Sequence, residues 1–142
     1  MRQKAAIWLL AACLLLLSAC GARTEKENSF TVKVVCESQG IQQIFYTYYI
    51  GGASRGMGGM ADLEGGALTE ATDLTLTFQP ASFDQGDDLS AFSIDFSPYG
   101  AGDTEEMATT EPLAFPAAYG ERYTVIFSGS REEGFRAVLA EE

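Results

Sequence analysis

A hydrophobic period of two constrains this chain more than any other feature. Leu74-Thr75-Leu76-Thr77-Phe78 alternates apolar and polar residues, and so does Phe92-Ser93-Ile94-Asp95-Phe96. Successive side chains of a strand point to opposite faces, so this pattern predicts half-buried strands with one wet face. Residues 32–37 read the same way, with Val35 disturbing the alternation. Residues 44–50 are apolar on both faces apart from Thr47, which predicts a central strand or one whose second face is covered. Residues 123–127 and 135–139 flank turn material and predict a hairpin. Residues 113–119 offer a short edge strand, limited by Pro112 and Pro116. The total is six or seven strands and no convincing helix. At this length that predicts an all-β fold over residues 30–142, an antiparallel two-sheet sandwich.

One local stretch adds to this. Tyr119-Gly120-Glu121-Arg122-Tyr123-Thr124-Val125 resembles the Gly-x-x-Tyr-x-Val approach to a late strand in bacterial immunoglobulin-like domains. The resemblance implies an immunoglobulin-like sandwich in which the chain turns a corner and the tyrosine packs against it. The paired cysteines of that family are absent, and the only tryptophan, Trp8, stands near the N-terminus. The resemblance transfers no binding residues.

The N-terminus is of a different kind. Met1-Arg2-Gln3-Lys4 is basic, residues 5–17 are apolar, and Ser18 and Ala19 are small. The apolar run falls short of the roughly 20 residues that a spanning helix needs. Leu17-Ser18-Ala19-Cys20 resembles the lipobox of bacterial lipoproteins. An ordinary signal peptide also carries small residues at this point, so Cys20 is the discriminating residue. The resemblance implies a signal helix over residues 1–19, cleaved before Cys20, and a diacylglyceryl group on the Cys20 sulfur. It implies a membrane lipoprotein whose domain faces outside the cytoplasm, at the cell surface or in the periplasm. Two acyl chains are enough for stable attachment. Residues 20–29 then carry the lipid and form a polar tether, reaching roughly 30 Å when fully stretched.

Of the 142 residues, removal of 19 leaves a length suited to one domain with a real core. Arg2 and Lys4 leave with the leader. Seven basic residues then face 20 acidic ones, a formal charge of −13. A surface of that sign repels nucleic acid. Its simplest role is solubility. Cys13 falls in the leader and Cys20 takes the lipid, so Cys36 has no partner for a disulfide. It is in step with Val32 and Val34, which places it on the apolar face as a buried, inert thiol.

The chain contains no histidine, which excludes Ser-His-Asp and Cys-His catalysis and histidine zinc sites. No Gly-x-Ser-x-Gly stands in a strand-turn-helix setting. Carboxylates gather at Asp84, Asp87 and Asp88, and again at Asp103, Glu105 and Glu106. The plain reading is solvated turns. Asp84, Asp87 and Asp88 around Gly86 also make a calcium candidate, although the spacing is not that of an EF-hand. A small envelope hydrolase would need Asp87 or Asp88 facing Glu105 or Glu106 across a cleft of about 5–10 Å.

Residues 51–72 contain seven glycines and read as a long loop, either mobile or an adaptable recognition loop. Its candidate contacts are Arg55, Met57 and Met60. Tyr46 and Tyr48 share one face with Ile44 and Ile50, and Phe45 and Tyr49 share the other. Most of these rings read as core, while an open face could stack on sugar rings or a peptide. These features favour a non-catalytic, lipid-anchored binding or scaffold module of the cell envelope. Its partners would be the membrane, through Cys20, and an envelope glycan or protein.

Overall fold

The structure is a computed structural model and describes residues 28–141. The leader, Cys20 and most of the tether lie outside the described residues. Among the described residues, eight strands form two four-stranded sheets. In chain order they are β1 (Phe30–Cys36), β2 (Ile41–Ile50), β3 (Ala53–Ala61), β4 (Leu74–Phe78), β5 (Phe92–Gly100), β6 (Leu113–Ala114), β7 (Arg122–Ser130) and β8 (Gly134–Leu139). Sheet I has the order β4-β1-β7-β8 and sheet II the order β3-β2-β5-β6. Two single 3-10 turns, Pro80–Ser82 and Leu89–Ala91, lead into β5. No helix among the described residues is long and apolar enough to cross a membrane.

The count exceeds the expected six or seven strands because β3 lies within the stretch read as a loop. The pairing is antiparallel except between β1 and β7, which run parallel. β1 enters sheet I between β4 and β7, so the N-terminal strand is central. β2 is central in sheet II, as its two apolar faces predict.

The period of two does its work on the inner faces. Val32 and Val34 of β1, Leu74 and Leu76 of β4, Ile94 and Phe96 of β5, and Val125 and Phe127 of β7 are all buried. Aromatic rings join the sheets. The Phe92 ring lies 5.2 Å from Phe30, 5.3 Å from Phe78 and 5.1 Å from Phe115. Such ring pairs add to the stabilisation from burial alone.

The corner before β7 is closed by Tyr123. Its hydroxyl donates to the Pro116 carbonyl and accepts from the Ala118 N–H, both at 3.1 Å. Its ring packs 4.7 Å from that of Phe115.

Candidate functional site

The stretch read as a loop is the edge of sheet II. Gly51 and Gly52 have φ of 56° and 81°, which makes a two-residue hairpin turn that only glycine enters without strain. The chain returns as β3, antiparallel to β2. Its glycines are extended and face aromatic rings. Gly56 pairs with Tyr48, Gly58 with Tyr46 and Gly59 with Phe45. A Cβ on Gly56 would sit 2.6 Å from the Tyr48 hydroxyl oxygen, and one on Gly58 would run into the Tyr46 ring. The rings therefore fill the volume that the glycines leave open.

Tyr46 and Tyr48 accordingly point inward, toward the core and away from the open face of the sheet. Tyr48 is buried against Phe78 and donates to the Ser82 carbonyl at 2.9 Å. Tyr46 packs on the same core, and burial raises its phenol above the ordinary range. Met60 is also core. Met57 remains open, with 77% of its surface exposed.

Arg55 sits at an irregularity of register. Tyr48 pairs with Gly56 but Tyr49 with Ser54, so Arg55 is the extra residue of a bulge. Bulges re-aim side chains. This one sends Arg55 to Asp87, with Nε 2.7 Å from Oδ2 and a terminal nitrogen 2.8 Å from Oδ1. Asp84 lies 3.4 Å away. The hydrogen bonds from Arg55 hold the Asp87 carboxyl below the usual carboxylate range. Asp87 Oδ2 also accepts from the Asp84 N–H at 2.9 Å. Asp88 caps the second 3-10 turn by accepting from the Ser90 N–H at 3.0 Å. Asp87 and Asp88 thus carry structural bonds, and no group of three metal-ligating side chains is present among the described residues.

The two carboxylate loops are not brought together. Asp88 precedes the start of β5, whereas Glu106 accepts from the Tyr99 hydroxyl near its end, at 3.2 Å. Tyr99 lies seven positions beyond Phe92 along the strand, about 20 Å at the strand rise. That exceeds the separation a carboxylate pair needs. A concavity of about 400 Å³ beside Asp87 is lined by Phe83, Leu89 and Tyr119 but by neither Glu105 nor Glu106. Gly52-Ala53-Ser54-Arg55-Gly56 has nucleophile-elbow spacing, yet the chain continues into a strand and not a helix.

Cys36 is buried, with its thiol pointing to the Ser38 carbonyl at 3.6 Å. Burial pushes that thiol up in pKa.

What remains open is the outer face of sheet II. It presents Phe45, Thr47 and Tyr49 from β2, Met57 from β3, and Ser93, Asp95, Ser97 and Tyr99 from β5. Phe45 is 40% exposed and meets Tyr99 edge to face at 5.2 Å. The Tyr49 hydroxyl donates to Asp95 Oδ2 at 2.7 Å, and this bond raises the Tyr49 phenol. Aromatic rings and hydroxyls share this face, while the Asp95 carboxylate is buried and taken up by Tyr49. The two ends of the sheet differ. Met107 and Thr110 donate their N–H groups to Pro98 and Phe96, covering the free side of β5, whereas β3 is an edge strand. Sequence reasoning missed Phe45 as a surface group and the half-buried Tyr99 as its neighbour. Period-two alternation had already put Phe45 opposite the Tyr46 face, but not on the solvent side.

No protein-family model matches the chain, and no curated protein or solved structure matches it either.

Proposed function

We propose that this chain is a lipid-anchored, extracytoplasmic binding or scaffold module with an immunoglobulin-like sandwich. The lipobox-like residues ending at Cys20 support the anchor, and the corner hydrogen bonds of Tyr123 support the immunoglobulin-like reading. The contact surface is the outer face of sheet II with its β3 edge, and its ligand is an extended envelope glycan or peptide. One observation carries this: Phe45 and Met57 stand exposed, beside the half-buried Tyr99, on a face that also carries hydroxyl groups. Rings provide flat apolar area at low entropic cost, and the hydroxyls orient what lies on them. An edge strand adds unpaired backbone groups for an extended chain.

The test is capture of isolated envelope glycan strands and envelope peptides by the full chain. Phe45→Ala combined with Met57→Lys should weaken capture about tenfold, the loss of roughly one ring contact, without lowering the melting temperature. Unchanged capture would move the contact surface elsewhere. The anchor is tested separately. Cys20→Ser should leave the chain in the soluble fraction, and intact-mass measurement should find a diacylglyceryl group only on the native chain.

A further inference from the structure

The cations of this acidic protein are segregated. Five occur in the described residues: Lys33, Arg55, Arg122, Arg131 and Arg136. Arg55 is bound to Asp87 and Arg131 to Asp103. The other three all stand on sheet I, whose four strands contain no carboxylate. All three are exposed. They alternate with core residues, so they share the outer face: Lys33 lies between the buried Val32 and Val34, and Arg122 and Thr124 flank Tyr123.

The register builds a polar array there. Thr77, Thr31 and Arg122 form one cross-strand row, and Thr75, Lys33 and Thr124 form the next. All of these except Thr77 border a groove of about 410 Å³ that Ser29 and Glu121 also line. Arg136 lies further across the sheet and donates to Ser128 Oγ at 3.2 Å.

We infer that this face is the one the protein turns toward its own membrane, with Lys33, Arg122 and Arg136 against anionic phosphate headgroups. The inference rests on the lipid anchor proposed above. Two features select the membrane over a free polyanion. First, the groove lies where the tether delivers the chain: Ser29 borders it, and only residues 20–29 separate β1 from the lipidated cysteine. Second, the formal charge of −13 left once the leader is removed opposes long-range capture of a dissolved polyanion. A surface already held close by a short tether bypasses that barrier, because screening confines the repulsion to roughly 8 Å at physiological salt. Each cation brought to an anionic surface contributes roughly fivefold, so three bias the orientation by about 100-fold over a neutral bilayer. The opposite outer face, with Phe45 and Met57, would then point away from the bilayer.

The experiment uses the lipidated full chain in vesicles of phosphatidylcholine, with or without phosphatidylglycerol. A dye is placed on Thr77→Cys, on the outer face of sheet I, or on Met57→Cys, on that of sheet II. Cys36 is buried and stays unlabelled. Quenching by headgroup-labelled lipid reads which face meets the bilayer. In phosphatidylglycerol vesicles, quenching at position 77 should exceed that at 57 several-fold. The ratio should fall to about one in Lys33→Gln/Arg122→Gln/Arg136→Gln and at about 1 M salt, where screening reaches roughly 3 Å. An equal ratio in the native chain overturns the inference. So does a ratio that survives the triple substitution, or one that is the same without phosphatidylglycerol. Dye–dye quenching at 77 that ignores lipid charge would show a second copy on this face and also overturns it. A chain that fails to float with either vesicle removes the anchor and this inference together, whereas floating with equal quenching removes this inference alone.

Discussion

Glycine and tyrosine act as one unit in sheet II. Tyr46 and Tyr48 lie across strand positions where Gly58 and Gly56 present no side chain. Gly56→Ala should therefore cost about 1–3 kcal/mol as overpacking, since Tyr48 is held by its bond to Ser82 and has nowhere to turn. Urea denaturation measures this. The Arg55–Asp87 pair gives a pH signature. Asp87 titrates lower in the folded chain than in the unfolded one. Its contribution is therefore complete above the unfolded value of about 3.9 and is lost as pH falls through the folded value. The difference in urea midpoint between the native chain and Asp87→Asn should be widest at neutral pH and close below about pH 4. Cys36 combines burial with a raised thiol pKa. Thiol reagents should modify it only as fast as the domain opens. Modification at the rate of a free thiol would place it at the surface.

At the scale of elements, β3 changes how the glycine-rich stretch must be tested. As a loop, residues 52–59 would be dispensable. As a strand, they cover β2 and its tyrosines. Deleting residues 52–59 should therefore abolish cooperative thermal unfolding, measured by circular dichroism, and not merely trim the surface. The hairpin was partly legible. Ile50-Gly51-Gly52-Ala53 carries the two-residue Gly-Gly signal between apolar segments. Glycine abundance hid the strand that follows, because propensity is counted on β3 alone while the stabilising rings belong to β2. The β7–β8 hairpin was legible throughout because both of its strands carry their own β-branched or aromatic residues. The β6 edge came out at two residues, as Pro112 and Pro116 allow.

At the scale of the molecule, two sheets close on one aromatic core. Phe92 touches rings from both sheets, so Phe92→Ala should cost about 3–5 kcal/mol and lower the melting temperature of the whole domain in a single transition. The same closure sorts the surface into two unlike faces, one aromatic and hydroxylic on sheet II and one cationic on sheet I. Composition alone described a uniformly acidic chain. The sequence by itself determined seven of the eight strands, the inner faces of those that alternate and the exclusion of histidine chemistry, because alternation and residue type are local properties. Only the tertiary structure decided that β3 pairs with β2, that Tyr46 and Tyr48 turn inward, and that Asp88 and Glu106 stand at opposite ends of β5. Those outcomes depend on which distant strands become neighbours, and a one-residue change of register would reverse each face.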